Sequence, residues 1–115
     1  MSPEELTLIE ETRTFLDDLV IRGIPLQTLL NTGTFPDGWP ERYLNFLDRV
    51  AHQYPGRSSL PHAVMAVLYN ASVYCTKRYL DWQRDSGSTN DATEQVVNRI
   101  RWSTDAPTRA ARRTF

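Results

Sequence analysis

Apolar residues recur at intervals of three and four from the start of the chain, which is the period of a helix with one buried side. Ser2 and Pro3 form a helix-start signal with Glu5 in the capping position, and Gly23 supplies a left-handed stop. The pattern therefore predicts a helix from about Pro3 to Arg22. Its apolar positions are Leu8, Ile9, Thr12, Phe15, Leu16, Leu19 and Val20.

A short helix and a longer one are predicted next. The short helix covers residues 25–31 and is closed by Gly33, and the longer one runs from Pro40 to about Tyr54. Each begins with a proline, which suits the first turn of a helix because that position needs no backbone N–H. The predicted inner side of the longer helix consists of Tyr43, Leu44, Leu47, Val50, Ala51 and Tyr54.

Two aromatic residues, Phe35 and Trp39, flank the loop between these two helices. The loop contains Pro-Asp-Gly at residues 36–38, which is strong turn chemistry. Large aromatic side chains gain free energy when they leave water. We interpret the pair as a plug for the base of the domain, with an exposed contact patch for a partner as the alternative.

A fourth helix, predicted from about residue 60 to residue 85, is the natural axis of the fold. Residues 63–75 are apolar on nearly all sides, a pattern typical of a helix that several neighbours bury. The second half is amphipathic and carries Tyr79, Leu80 and Trp82 among charged side chains. At about 1.5 Å per residue, this helix should extend ~15 Å beyond the third one.

The protruding end of the fourth helix is the main candidate interaction surface. Aromatic and arginine side chains are enriched at protein interfaces. Two interpretations stay open: the end meets another chain, a second copy included, or the fifth helix folds back and covers it. The candidate partner-binding residues are Arg78, Tyr79, Leu80, Trp82, Trp102, Phe35 and Trp39.

A fifth helix is predicted after the break at residues 86–90, with Asp91 as its cap. No stretch alternates with period two, so no strand is predicted. The predicted fold class is all-α: a compact four- to five-helix bundle around a long, mostly buried central helix. A single helical domain should cover residues 1–104, followed by a basic C-terminal tail over residues 105–115 that is expected to be flexible.

Charge is distributed unevenly along a chain whose formal net charge is only −1. Residues 1–20 carry six acids and one arginine, a net charge of −5, whereas residues 98–115 have a net charge of +4. Opposite charges at the two ends favour head-to-tail association. Arginines can also hold phosphate groups. The candidate contacts for an anion or a nucleic acid are Arg99, Arg101, Arg109, Arg112 and Arg113.

Residues capable of catalysis or metal binding are few and poorly spaced. His52, His62 and Cys75 lie ten and thirteen residues apart, which matches no metal-ligand spacing. Cys75 is the only cysteine and lies in the apolar run, where a thiol is usually inert. No phosphate-binding glycine motif is present. We therefore expect no catalytic site, no metal and no cofactor.

These observations favour a small non-catalytic interaction module, an adaptor or regulator that binds another protein or itself as a homodimer. The alternatives are a nucleic-acid-binding regulator that uses the arginine-rich C-terminal segment, and a minor structural subunit of a larger assembly. The acidic first helix, long central helix and arginine-rich end resemble small viral accessory adaptors in outline, although no motif residue matches. A single cysteine, an acidic amino end and no membrane segment predict a cytoplasmic location, or a nuclear one in a eukaryote.

Overall fold

Helices account for every regular element in the part of the chain that the computed structural model describes, residues 2–54 and 60–101. The all-α prediction and the helical-bundle fold class are confirmed. The predicted tail, residues 105–115, lies outside the described residues. The elements in chain order are α1 (Pro3–Leu16), a π-helical segment (Asp17–Arg22), α2 (Ile24–Thr32), α3 (Trp39–Gln53), α4 (His62–Ser86) and α5 (residues 91–101).

Local sequence signals set the starts of α1 and α5. The Ser2 side chain caps α1 by accepting a hydrogen bond from the backbone N–H of Glu5 at 3.2 Å, as predicted. The cap of α5 lies one residue earlier than expected. Asn90 rather than Asp91 takes this position, and its side-chain oxygen accepts a hydrogen bond from the backbone N–H of Thr93 at 3.2 Å.

The last part of the first predicted helix is wider than an α-helix. Residues Asp17–Arg22 form a π-helical segment, in which backbone hydrogen bonds join residues five apart. The ion pair between Arg22 Nε and Asp17 Oδ2, at 2.9 Å, has the same spacing. Leu19 stays in the core, but Val20 and Ile21 are exposed. The sequence prediction placed Val20 on the buried side, and it lies outside because each π turn takes more residues than an α turn.

A stack of aromatic rings forms the centre of the core. Trp39 and Tyr43 are four residues apart on α3, so their rings overlap, with centroids 5.1 Å apart. Phe35 stacks on the other face of Trp39, also at 5.1 Å. Phe15 of α1 meets the Trp39 and Tyr43 rings edge-on. Phe35 and Trp39 are both buried, so they plug the core and do not form an exposed contact patch.

The buried side of α3 is rotated relative to the sequence prediction. Phe46, which the prediction left out, is fully buried and lies 5.0 Å from the Phe15 ring, centroid to centroid. Ala51, which it included, is exposed. The large aromatic surface of Phe46 gains more from burial than the methyl group of Ala51, so the helix turns this side inward.

Only one side of α4 is buried, contrary to the expectation of burial on most sides. The elements that pack against it include α1, the π-helical segment and α2. Residues 63–75 contain no charged side chain and only Asn70 and Ser72 as small polar ones, so their periodicity could not show which side faces water. The buried residues of α4 are Val64, Val67, Leu68, Ala71, Cys75 and Tyr79.

Candidate protein-interaction surface

Four large apolar side chains are exposed along one face of α4. Met65, Tyr69 and Val73 follow each other at intervals of four residues, and Leu80 lies seven residues further on. These spacings place all four on the same side of the helix. Residues 63–76 contain no charged side chain. Because surface helices normally turn charged or polar groups to water, this face is atypical of a surface that stays solvated.

A groove lies beside this face, between α4, the π-helical segment and the start of α2. Its volume is about 550 Å³, and its walls include the exposed side chains of Val20, Ile21 and Ile24. Tyr74 lines the groove from α4 and lies about 100° around the helix from Val73, so the groove borders the exposed side of α4. We call their combined apolar residues the α4 surface: Val20, Ile21, Ile24, Met65, Tyr69, Val73, Tyr74 and Leu80.

Arg78, one of the predicted partner-binding residues, lies at the rim of this surface. It is half-buried and lines the groove together with Asn70 and Tyr74, which precede it by two turns and one turn of the helix. None of the ion pairs within residues 2–54 and 60–101 involves its guanidinium. The α4 surface therefore has a cationic hydrogen-bond donor at its edge.

Tyr79, another predicted partner-binding residue, is buried and bonded within the chain. Its hydroxyl accepts a hydrogen bond from the backbone N–H of Asn90 at 3.0 Å and donates one to the Asn90 carbonyl at 3.1 Å. The side-chain amide of Gln83 donates to the same hydroxyl at 3.3 Å. These bonds hold the segment before α5 against the end of α4. Tyr79 is therefore covered within the chain, as expected from the interpretation in which the fifth helix folds back.

Trp82 packs inward beside Tyr79, whereas Leu80 points to solvent. The Trp82 ring lies against Gly33 at the end of α2, and it stacks on Tyr79 with centroids 5.8 Å apart. Leu80 is exposed. Trp102 lies outside the described residues. Of the predicted partner-binding set, Arg78 and Leu80 thus adjoin or form part of the α4 surface, while Phe35, Trp39 and Tyr79 belong to the core.

Replacement of Tyr43 and of Tyr79 by phenylalanine is expected to have opposite effects on stability. Tyr79→Phe leaves two backbone groups of Asn90 without their partner and should lower the free energy of unfolding by about 1–2 kcal/mol. The buried hydroxyl of Tyr43 has no hydrogen-bond partner among the described residues. Tyr43→Phe should therefore be neutral or raise that free energy by up to about 1 kcal/mol. Urea unfolding followed by circular dichroism measures both, and equal losses would contradict the assigned hydrogen bonds.

The predicted arginine contacts do not form a patch within the described residues. Arg99 and Arg101 are both exposed on α5. Residues two apart on an α-helix point about 200° apart, so these two side chains extend from nearly opposite sides of α5. The remaining members of the predicted set, Arg109, Arg112 and Arg113, lie outside the described residues.

Several acids of the N-terminal block have partners within the chain. Glu11 of α1 accepts from both Nε and Nη2 of Arg49 on α3, the first at 2.6 Å. Asp18 accepts a hydrogen bond from the indole Nε1 of Trp39 at 3.3 Å. With Asp17 paired to Arg22, three of the six acids in the block make contacts inside the subunit. Glu11 and Asp18 bind the first predicted helix to α3, and Asp17 is paired within that helix, which leaves fewer acids for head-to-tail association.

The groups with potential reactivity are buried and held in their neutral forms. Burial raises the pKa of Cys75 to about 12, so the thiol is protonated at neutral pH. Burial, with a smaller effect from Cys75, also raises the pKa of Tyr43 far above its usual range. Within the described ranges, no three His, Cys, Asp or Glu side chains are grouped closely enough to hold a metal ion.

No protein-family model, curated protein or solved structure matches this chain. Its function is therefore inferred from the geometry of its surface and the chemistry of its residues. None of the helices in the described part of the chain has the length and apolar character needed to cross a bilayer.

The sequence prediction missed most of the α4 surface because it assigned these residues to the core. Met65, Tyr69 and Val73 belong to the run interpreted as buried on most sides. Val20 was assigned to the apolar side of the first helix. One signal was present in the sequence: an uncharged helical run of fourteen residues needs neighbours on every side to be buried. Four helices were predicted around this run, and in the structure they leave one of its sides exposed.

Proposed function

We propose that this chain is a small non-catalytic helical module that binds another protein through the α4 surface. The observation that carries the proposal is the exposure of eight large apolar side chains on the outer face of α4 and around the groove that borders it. Soluble monomers rarely expose contiguous apolar patches larger than a few hundred Å² unless the patch is functional. Burial against a partner contributes roughly 25 cal/mol per Å² before the costs of association.

The composition of the α4 surface supports a protein as the ligand. Interfaces are enriched in Tyr, Met and Arg and are depleted of charge at the centre, with polar groups at the rim. Tyr69, Tyr74 and Met65 follow this distribution, and Arg78 supplies the polar rim. Tyrosine also adds contact area at a low cost in side-chain entropy, because it has only two rotatable bonds.

The groove residues support a binding role over a catalytic one. The described residues that line the groove include no carboxylate, imidazole or thiol. General acid–base or nucleophilic catalysis needs such groups within hydrogen-bond reach of each other. The chain's only thiol, on Cys75, is buried and protonated, so it supplies no nucleophile at this surface.

Nucleic-acid binding has less support than protein binding. Affinity for a phosphate backbone depends on several cations that neutralise phosphates together. The middle of the α4 surface is uncharged. The side chains of Arg99 and Arg101 extend from different sides of α5, so they do not form one cationic patch. This alternative therefore depends on the C-terminal arginines alone.

A photo-crosslinking amino acid at position 69 tests the proposed function. In cells of the native host, the Tyr69 position should give a covalent adduct with a protein, because that side chain lies in the middle of the surface. The same crosslinker at Asn45, which is exposed on α3, is the matched control and should give none. Mass spectrometry identifies the adduct. Equal adducts at both positions, or none at Met65, Tyr69 and Val73, would contradict the proposal.

A further inference from the structure

We infer that the protein bound at the α4 surface is a second copy of this chain, with the two α4 helices paired antiparallel about a two-fold axis near Tyr69 and Asn70. This inference depends on the proposed function, since it names the partner of the same surface. An interface of this kind buries the same residues on both subunits, so the surface must be complementary to itself in size, charge and polarity.

The area of the α4 surface matches what one side of a stable dimer needs. Its eight residues are between 37% and 76% exposed. For side chains of this size, these fractions correspond to on the order of 700 Å². A standard interface buries about 800 Å² on each partner. The eight residues together therefore approach one side of such an interface: Met65, Tyr69, Val73 and Tyr74 lie in the paired stretch of α4, and the other four lie beside it or beyond its end.

The charge distribution along α4 favours self-pairing. An antiparallel pair centred between Tyr69 and Asn70 aligns residues 63–76 of one copy with the same residues of the other, over about 21 Å of helix. Like charges that face each other across a two-fold axis repel, and this stretch contains none. At this register Val73 of each copy lies level with the small Ala66 of the other. A large side chain opposite a small one lets two helices approach closely.

Two of the polar side chains in this part of α4 are already hydrogen-bonded within the helix. The amide of Asn70 donates to the carbonyl of Ala66 at 2.7 Å, and the hydroxyl of Thr76 donates to the carbonyl of Ser72 at 2.7 Å. Burying a polar group without a partner costs free energy, whereas a bonded one can be covered by a neighbouring helix. A second uncharged helix can therefore cover Asn70 and Thr76 without supplying hydrogen bonds to them.

The oligomeric state of the full chain tests this inference. Sedimentation velocity from low to high micromolar concentration should show a monomer–dimer equilibrium. Tyr69→Asp should raise the dimer dissociation constant by about 100-fold or more, because it places two carboxylates next to each other near the axis. Leu6→Asp is the matched control: it also replaces an exposed apolar residue, but on α1, and should leave the constant unchanged.

A mixing experiment tests the two-fold arrangement itself. Tyr69→Lys should also be monomeric alone, and mixing it with Tyr69→Asp should restore a dimer, because opposite charges then meet at the axis. Circular dichroism of both variants should match that of the original chain, since the side chain is exposed. A second readout uses Tyr69→Cys, which should form an intermolecular disulfide under mild oxidation, while Leu6→Cys should not. The buried Cys75 does not interfere with this readout.

The outcomes separate the inference from the proposed function. If the chain stays monomeric while the crosslinker at position 69 captures a different protein, the partner is foreign: the inference fails and the proposed function stands. If the chain is monomeric and the crosslinker captures nothing, both fail. If a dimer forms that Leu6→Asp weakens and Tyr69→Asp does not, the interface lies on α1 and the inference fails.

Discussion

Gly33→Ala is expected to lower the free energy of unfolding by about 3 kcal/mol, because two penalties act at this position. Gly33 ends α2 with φ at 69°, a left-handed conformation that strains any residue with a Cβ. A Cβ there would also lie 2.3 Å from Cε2 of the Trp82 ring. The half-buried ring cannot move away without leaving its stack on Tyr79. Urea unfolding followed by circular dichroism gives the change.

Gly87→Ala is the matched control for this prediction. Gly87 ends α4 with φ at 68°, nearly the same conformation, but a Cβ there would meet nothing within 4 Å. We expect a loss of only about 1 kcal/mol, the conformational penalty alone. In a Trp82→Ala background, Gly33→Ala should cost no more than Gly87→Ala, because the ring is absent. Equal losses at the two glycines in the original chain would show that Trp82 does not pack against α2 in this way.

Trp39→Ala is expected to lower the free energy of unfolding by about 3–5 kcal/mol, the range for removing a large aromatic side chain from a core. Trp39 is 2% exposed and lies between Phe35 and Tyr43 in the ring stack, and Phe15 meets it edge-on. Its removal leaves a cavity where three aromatic residues lose their contacts. Thermal and urea unfolding measure the loss.

Two other variants separate the contributions of the Trp39 ring from those of its hydrogen bond. Trp39→Phe keeps an aromatic ring in the stack and should lose less than Trp39→Ala. Asp18→Ala removes the acceptor for Trp39 Nε1 and should cost about 1 kcal/mol, because this hydrogen bond is only partly buried. A stable Trp39→Ala variant that had lost only partner binding would support the exposed-patch interpretation and contradict the core assignment.

The number of helices, most of their limits and the all-α class could be predicted from the sequence. Caps and stops depend on neighbouring residues, as at Ser2 and Gly33, so local patterns contain the necessary information. The prediction failed where the choice lay between two neighbouring positions. The cap of α5 is Asn90 rather than Asp91, because the backbone of Asn90 is held by the hydroxyl of Tyr79.

The candidate surface could be predicted only in small part. Arg78 and Leu80 were recognised because they lie among charged residues in an amphipathic stretch. Tyr79 and Trp82 share that stretch, yet they turn inward onto the segment before α5 and onto the end of α2. Whether an aromatic residue on such a helix faces a partner or the core depends on which other segments pack against that helix. The pattern of residues along the helix does not give this information.

The sequence by itself determined the helical elements, several of their caps and stops, and the uncharged stretch of α4, because each is a property of residues near one another along the chain. The tertiary structure alone decided which side of α4 is covered, that Val20 and Ile21 turn outward on a π-helical turn, and that these two residues share a groove with Tyr74. The physical reason is that hydrophobic burial has no direction of its own. An apolar side chain is buried only where another segment packs against it, and the segments that pack on α4 cover one side of it.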